Sequence, residues 1–403
     1  MNDCSPTKAM RLAWVTPVCP PTPSGQSRVL GALLDCEELH DSIIFTTDAA
    51  ALEGPDHACT YAALPVPTTS RATGLPRIGP MLQLLVDRAL VRACARTIEK
   101  TLKRRPVDAI VGCTANRALL PAAWLAAKRL GVPFVAYLFD DPVYQWPNSG
   151  HRRVARSWER QWSAGAAAVI APNEVLAADV ETRCDIACEV LRNCISLDAF
   201  TGENGTWPTK SGELSIVYTG AVYHAHTDAF VNLVRALPKL PVKTTLHIYT
   251  DQDETDLRRQ GIDGPVMFHG HRSAREIHAI QRQADILFLP LAFNSPIPEV
   301  IRSSAPGKMG EYLASGRPVL VHAPADSFVA SFHATRACGF VADVLAPDAT
   351  ARVITEIIEN TSLRDKTIER ARAAAQEFSP ETVRRGFIRI MTNALAGAPG
   401  VRQ

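Results

Sequence analysis

The chain has 403 residues, too many for one compact core, and the usual domain size of roughly 100–200 residues predicts two domains. With 46% hydrophobic and 21% charged residues it has the composition of a folded globular protein, which excludes a disordered or fibrous chain. A formal net charge of +2 gives no reason to expect a nucleic-acid partner, and no run of roughly 18 apolar residues offers a membrane span.

The charge is unevenly spread. Between Arg71 and Arg160 there are 16 Lys/Arg against 6 Asp/Glu, so an anionic partner or a membrane face is expected there. Ten cysteines without CxxC spacing read as reduced thiols acting as small apolar residues. The opening MNDCSPTKAMRLAWV lacks the apolar run of a secretory signal, so the cytoplasm is the expected location.

RLAWVTPV (Arg11 to Val18) predicts a first strand, followed by a proline-rich loop and a helix from about Arg28. In that loop Gly25 is expected to turn the backbone and Ser27 to cap the helix, and the amides of Gly25, Gln26 and Ser27 can hold an anion or a sugar hydroxyl. A plain proline-rich turn is the alternative. DSIIFTTD predicts a second strand, and the Ala-, Pro- and Thr-rich stretch after it predicts a loop to Pro80. From Met81 to Arg105, Leu84, Leu85, Ala89, Val91, Ala95, Ile98 and Leu102 recur at helical spacing, with Arg88, Arg92, Arg96, Lys100, Lys103 and Arg104 opposite. Such a helix suits either solvent or anionic headgroups.

PVDAIVGC, LPAAWLAAKRLG and PFVAYLFDDP predict a β, α, β unit with Gly131 as the helix C-cap. Its second strand ends on Asp140 and Asp141, and a strand's carboxyl end is where an open α/β sheet places its active site. Neighbouring residues point apart, so one of the two carboxylates faces the site, with Asp141 preferred and Asp140 second. A helix cap plus a surface charge is the bland alternative. AAAVIAP and EVLRNCISLDAF predict further strands, and the composition shift at residues 196–212 predicts a linker. The expected division is residues 1–195, the linker, 213–380, and a terminal helix with its tail over 381–403.

The second half repeats the alternation. LSIVYTG, TTLHIYT, PVMFHG, ADILFLP and PVLVHAP read as strands, with helices around Glu254 to Gln260 and Ala274 to Gln283, and RACGFVAD is followed by helices over Asp348 to Asn360 and Leu363 to Glu377. The richest stretch is SSAPGKMGEYLASGRP (Ser303 to Pro318), a loop and helix between two buried strands. Ser303 or Ser304 is expected to cap the helix, Pro306 to suit its first turn and Gly307 to allow close approach. Lys308 then stands as a point charge for phosphate, and Arg272 in the HGHR loop, beside Gly270, supplies a second. Glu311, three residues on, shares a helical face with Lys308. A surface ion pair of the two is the competing reading.

These residues resemble the family-4-type glycosyltransferases of GT-B architecture over nearly the whole chain. RLAWVTPVCPPTPSGQSR is similar to the family's opening strand and glycine loop, LRNCISLDAF to its crossing between domains, and PGKMGEYLASGRPVL to its strongest signature. The resemblance implies two Rossmann-like, doubly wound domains facing a cleft, a nucleotide diphosphate sugar as co-substrate, a hydroxyl acceptor, no metal, and retention without a protein nucleophile. It assigns Glu311 to a ribose diol. Ser303 stands where many members carry a glutamate that contacts the donor sugar. Ala221 and His226 stand after Gly220 where many members carry an arginine and a lysine, which makes His226 the leading histidine among His224, His226, His269 and His271. The basic Arg71 to Arg105 region implies a lipid-linked or polysaccharide acceptor and peripheral contact at the inner membrane face. A GT-B nucleotide-sugar epimerase and a non-enzymatic two-domain sugar-binding protein are the alternatives.

Overall fold

The computed structural model describes residues 9–54, 59–66, 79–202, 205–208 and 212–397. The chain divides into two compact units, residues 1–194 with 380–403, and residues 195–379. Arg71 and Arg77 of the basic region, and residues 203–204 and 209–211 of the expected linker, lie outside the described residues.

Among the described residues the first unit holds seven parallel strands, β1 (Leu12–Thr16), β2 (Ile43–Thr46), β3 (Thr60–Ala63), β4 (Ala109–Cys113), β5 (Phe134–Tyr137), β6 (Ala168–Ala171) and β7 (Glu189–Val190). Their order is β3-β2-β1-β4-β5-β6-β7, with Trp14 opposite Ile44 on one side and Val111 on the other. Helices α1 (Gly25–Leu34), α2 (Ala49–Glu53), α3 (Gly79–Leu102), α4 (Leu119–Leu130), α5 (Ser149–Ser163) and α6 (Glu174–Cys184) connect them. Because every β1 residue is buried, alternate side chains serve opposite faces. Ala13 and Val15 join Val91, Ile98, Trp124 and Trp162, whereas Leu12 and Trp14 join Leu30 and Tyr137.

Two stretches differ from expectation. The loop expected before Pro80 contains α2 and the edge strand β3, whose residues Thr-Tyr-Ala-Ala carry little apolar signal. On α3 the buried stripe is Val91, Ala95, Ile98 and Leu102 as expected, but Leu85, 54% exposed, and Ala89 face outward. The buried residue in that turn is Asp87, which accepts from Arg117 Nε at 2.9 Å.

Among the described residues the second unit holds six parallel strands, β8 (Glu213–Thr219), β9 (Lys243–Tyr249), β10 (Val266–His269), β11 (Ile286–Pro290), β12 (Val319–His322) and β13 (Phe340–Ala342). Their order, β10-β9-β8-β11-β12-β13, reverses direction between β8 and β11. That is the dinucleotide-fold order, and its ligand address lies outside the carboxyl ends of those two strands. The helices are α7 (Thr227–Ala236), α8 (Glu254–Arg259), α9 (Ala274–Gln283), α10 (Pro298–Arg302), α11 (Lys308–Ala314), α12 (Phe328–Arg336), α13 (Pro347–Glu359) and α14 (Thr361–Ala375). Ser273 caps α9 in a reciprocal box with Glu276, which fixes where that helix starts.

The last helix, α15 (Pro380–Ala396), belongs to the first unit rather than standing apart as a terminal segment. Its Phe387 stacks on Trp14 at 5.2 Å and joins Leu30 and Tyr137 in the core, and Arg384 donates to the Ala32 carbonyl. The expected linker is likewise part of the second unit. Leu197–Phe200 forms a 3-10 turn whose Ala199 carbonyl accepts from Arg282 at 2.6 Å. The ends of that unit meet, since Ile195 N donates to the Phe378 carbonyl at 2.9 Å.

Candidate active site

At the carboxyl end of β8 the chain turns at Gly220, whose φ of +116° suits glycine alone. A Cβ there would lie 3.1 Å from Lys308 Nζ, so the turn also clears room for the lysine. The ammonium sits 3.7 Å from the centre of the Tyr218 ring, a cation–π contact. Desolvation pushes the Lys308 pKa down to about 7, against the raising effect of Glu311. By surface area the side chain is only half-buried, so it is crowded by protein yet reachable by a ligand. Lys308 lies in the first turn of α11, as the sequence predicts, although the helix starts at Lys308 itself rather than nearer Pro306, and it stands at the switch point of the sheet.

Glu311 is 7% exposed, one turn further along α11. Its Oε2 accepts from Gln281 Nε2 at 3.0 Å, and its Oε1 lies 3.9 Å from His278 Nε2. Gln281 Nε2 also donates to Thr219 Oγ1 at 3.1 Å. Thr219 N donates in turn to the Tyr312 hydroxyl at 3.1 Å. A solvated surface pair of Lys308 and Glu311 is therefore the wrong description, because the carboxylate is buried in a hydrogen-bonded network. Sequence reading missed Tyr218, Thr219, Gln281 and Tyr312; the available signal was that Tyr218 and Thr219 immediately precede the turn glycine.

Other expected donor-side residues divide. Arg272 is exposed after β10, and its charge acts on the stacked rings of Tyr249 and His269, 4.3 Å apart. Tyr249 O accepts from Gly220 N at 2.8 Å, so Arg272 and Lys308 belong to one edge of the sheet. Gly270 and Gly307 both have open space where a side chain would begin, and neither needs glycine for its backbone angles.

Ser303 does not cap α11. It closes α10, a helix the sequence reading missed, and its hydroxyl donates to Glu299 O at 2.9 Å. Ser304 likewise caps nothing on α11, whose N-cap is Gly307 without a side-chain bond. His226 cannot replace a cationic lysine. It is 5% exposed at the start of α7, its Nδ1 lies 3.4 Å from the Tyr218 hydroxyl, and desolvation, then Lys308, push its pKa down to about 3. The ring is neutral near pH 7 and braces the turn. His224 and His271 are exposed loop residues.

In the first unit, Ser24 rather than Ser27 caps α1, accepting from Ser27 N at 3.0 Å. Gly25 has ordinary backbone angles with open space beside it. Gln26 Nε2 donates to Thr16 Oγ1 at 2.9 Å, and Ser27 is buried. Asp140 and Asp141 do diverge, but in the sense opposite to the preferred one. Asp141 is 3% exposed; its Oδ1 accepts from Val143 N and Tyr144 N, both at 2.8 Å, and its Oδ2 pairs with Arg183 at 2.9 Å. Arg183 also reaches Glu159 at 2.8 Å and lies over Tyr144, so Asp141 holds a turn together. Asp140 is the carboxylate open to solvent. Its pKa is nonetheless raised, first by desolvation and then by Asp141, as befits a group that reaches water while crowded by protein.

Two doubly wound parallel domains, with a lysine, a glycine turn and a buried glutamate at the switch point of the second, define a glycosyltransferase of GT-B architecture. Residues 213–360 match the glycosyl transferases group 1 family and residues 27–185 match the glycosyl transferase 4-like domain. The chain belongs to this family-4-type group of glycosyltransferases. No curated protein sequence matches it. Among solved structures it is similar to a glycosyltransferase from Rickettsia africae ESF-5, at 17% identity and a TM-score of 0.67 over 96% of this chain and 99% of that one. It also resembles a sucrose-phosphate synthase from Thermosynechococcus elongatus, at 15% identity and a TM-score of 0.69 over 96% and 99%. Anabaena HepE, solved in complex with UDP and glucose, gives 16% identity and a TM-score of 0.64 over 95% and 99%. The family match decides for a transferase over the epimerase and the non-enzymatic binding protein. Among the described residues, no helix is long and apolar enough to cross a membrane.

Proposed function

We propose that the enzyme moves a sugar from a nucleotide diphosphate sugar to a hydroxyl acceptor with retention of anomeric configuration. The observation that carries this reading is the Lys308 ammonium seated against Gly220 and Tyr218, a cation held at the switch point of the donor-side sheet. Breaking the bond from the anomeric carbon to the phosphate oxygen leaves charge on the diphosphate, and a fixed cation stabilises it. Arg272, exposed in the loop after β10, adds a second positive group two strands away on that edge. The acceptor oxygen bonds to the anomeric carbon on the face the phosphate leaves, and its proton passes to the departing phosphate, so no protein nucleophile is needed. Glu311 binds the ribose diol. Asp140, with Gly25 and Gln26 on the same unit, orients the acceptor.

The exposed cationic side of α3, with Arg88, Arg92, Arg96 and Lys100 beside Leu85, supports a lipid-linked acceptor in polysaccharide or glycolipid synthesis. On this reading the enzyme works in the cytoplasm, docked on the inner membrane face. Flotation with anionic liposomes is expected to show binding at low salt that is lost as salt rises; absence of binding at low salt removes the membrane assignment. Thermal melting against a panel of nucleoside diphosphates tests the donor assignment, because a ligand that binds only the folded state stabilises it. One base is expected to raise the melting temperature, and Lys308→Ala to weaken its binding by about 1.5–3 kcal/mol. A Lys308→Ala protein with unchanged affinity refutes the phosphate role.

A further inference from the structure

Resting on the assignment of Glu311 to the ribose, we propose that Gln281 is a positioning residue that sets the Glu311 carboxylate and ties it to the turn carrying the phosphate cation. Gln281 comes from α9, on a different strand connection from either group it holds, and has no exposed surface. The two protons of its amide nitrogen go to two acceptors, Glu311 Oε2 at 3.0 Å and Thr219 Oγ1 at 3.1 Å. Its own carbonyl oxygen is buried and has no hydrogen-bond partner among the described residues. Turning the amide over would set that oxygen against the carboxylate, so the acceptors fix its orientation at the expense of an unpaired carbonyl. An apolar side chain would fill the same space without that cost, and the amide does what an apolar residue cannot: it donates to a carboxylate.

The consequence runs in two directions. Gln281 holds Oε2 of Glu311, while Oε1 lies toward His278. Through Thr219 it also holds the residue just before Gly220, the position that receives Lys308. The ionisable groups near this carboxylate include His278 on α9, and Lys308 and the Tyr312 phenol on α11.

The test compares wild type, Gln281→Leu, Gln281→Glu and Glu311→Ala by calorimetric titration with UDP, GDP and ADP and their 2′-deoxy counterparts. Gln281→Leu is expected to lose about tenfold in ribonucleotide affinity, the low end for a hydrogen bond to a charged group. Its preference for ribose over deoxyribose is expected to fall toward one, as in Glu311→Ala. Gln281→Glu sets two carboxylates together, so one retains its proton more readily and can then donate in place of the amide. Its affinity relative to wild type at the same pH is therefore expected to be poor at pH 8.5 and to recover as pH falls to 6. Unchanged ribose preference in Gln281→Leu, or a pH-independent ratio for Gln281→Glu, overturns the proposal while leaving the ribose assignment intact. Glu311→Ala with full ribose preference overturns that assignment and the proposal with it. If Gln281→Leu fails to fold, judged by thermal melting, the Gln281→Glu ratio decides alone.

Discussion

Nucleotide binding should draw a proton onto Lys308. Burial against Tyr218 pushes its pKa down to about 7, so about half of the ligand-free protein carries the charge at pH 7 and about a tenth at pH 8. A diphosphate favours the charged form and raises the pKa in the complex, because an opposite charge stabilises an ammonium. The sign follows directly: above pH 7 binding must first recruit the proton, so affinity falls as pH rises. Simple linkage gives a loss of about fivefold between pH 7 and 8 and about tenfold over the next unit. The side chain is half-buried by area and keeps some solvent, which makes these figures a ceiling. Below pH 7 the nucleotide's own terminal phosphate, with a pKa of about 6, complicates the profile. The window is therefore pH 7 to 9. Calorimetry of UDP or the base selected by melting, in buffers of different ionisation enthalpy, should show uptake approaching one proton at pH 8.5. In Lys308→Arg, where the charge is permanent, uptake should vanish and the profile flatten. Wild-type binding without proton uptake at pH 8.5 would refute the reasoning.

Three further outcomes follow from the geometry. Asp141→Asn weakens a buried ion pair with Arg183 and should cost about 3 kcal/mol of stability by thermal or denaturant unfolding. Asp140→Asn should leave stability unchanged while lowering transfer, and the reverse pattern would restore Asp141 to the acceptor role. Gly220→Ala forces a side chain into φ +116° and against the Lys308 ammonium. It should destabilise by about 1–2 kcal/mol and weaken nucleotide binding in the same titration. Phe387→Ala empties a fully buried ring position against Trp14 and should cost about 3–5 kcal/mol in unfolding experiments. Nucleotide titration of the folded Phe387→Ala protein should be unaffected, since Lys308 and Glu311 belong to the other unit.

The strands were legible because parallel sheets covered on both faces read as continuous apolar runs, as in AIVGC and ILFLP. Edge strand β3 and the short helices α2 and α10 were not, since Thr, Ala and Pro carry little periodic signal. Within the site, Lys308 and Glu311 stood out because they lie three residues apart in one loop and helix. The network around them could not be read, because Thr219, Gln281 and Tyr312 are separated by up to 93 positions and meet only once β8, α9 and α11 are packed. His226 misled for the same reason. Its position in the chain suggested a phosphate ligand, while its burial against Tyr218 and Tyr223 decides its charge. For Asp140 and Asp141, strand alternation showed that the two must diverge; Arg183, 42 residues away, determined which one turned inward.

The bond between Ile195 N and the Phe378 carbonyl makes the second unit one continuous segment whose two ends are already joined at its base. Such a segment behaves as a cassette. Grafting residues 195–379 into the first unit of another family member requires two cuts, and both fall where the ends are held together, so little closure entropy is lost on insertion. Truncation from the C-terminus behaves differently: removing α15 takes no residue from the second unit and strips Phe387 from the core of the first.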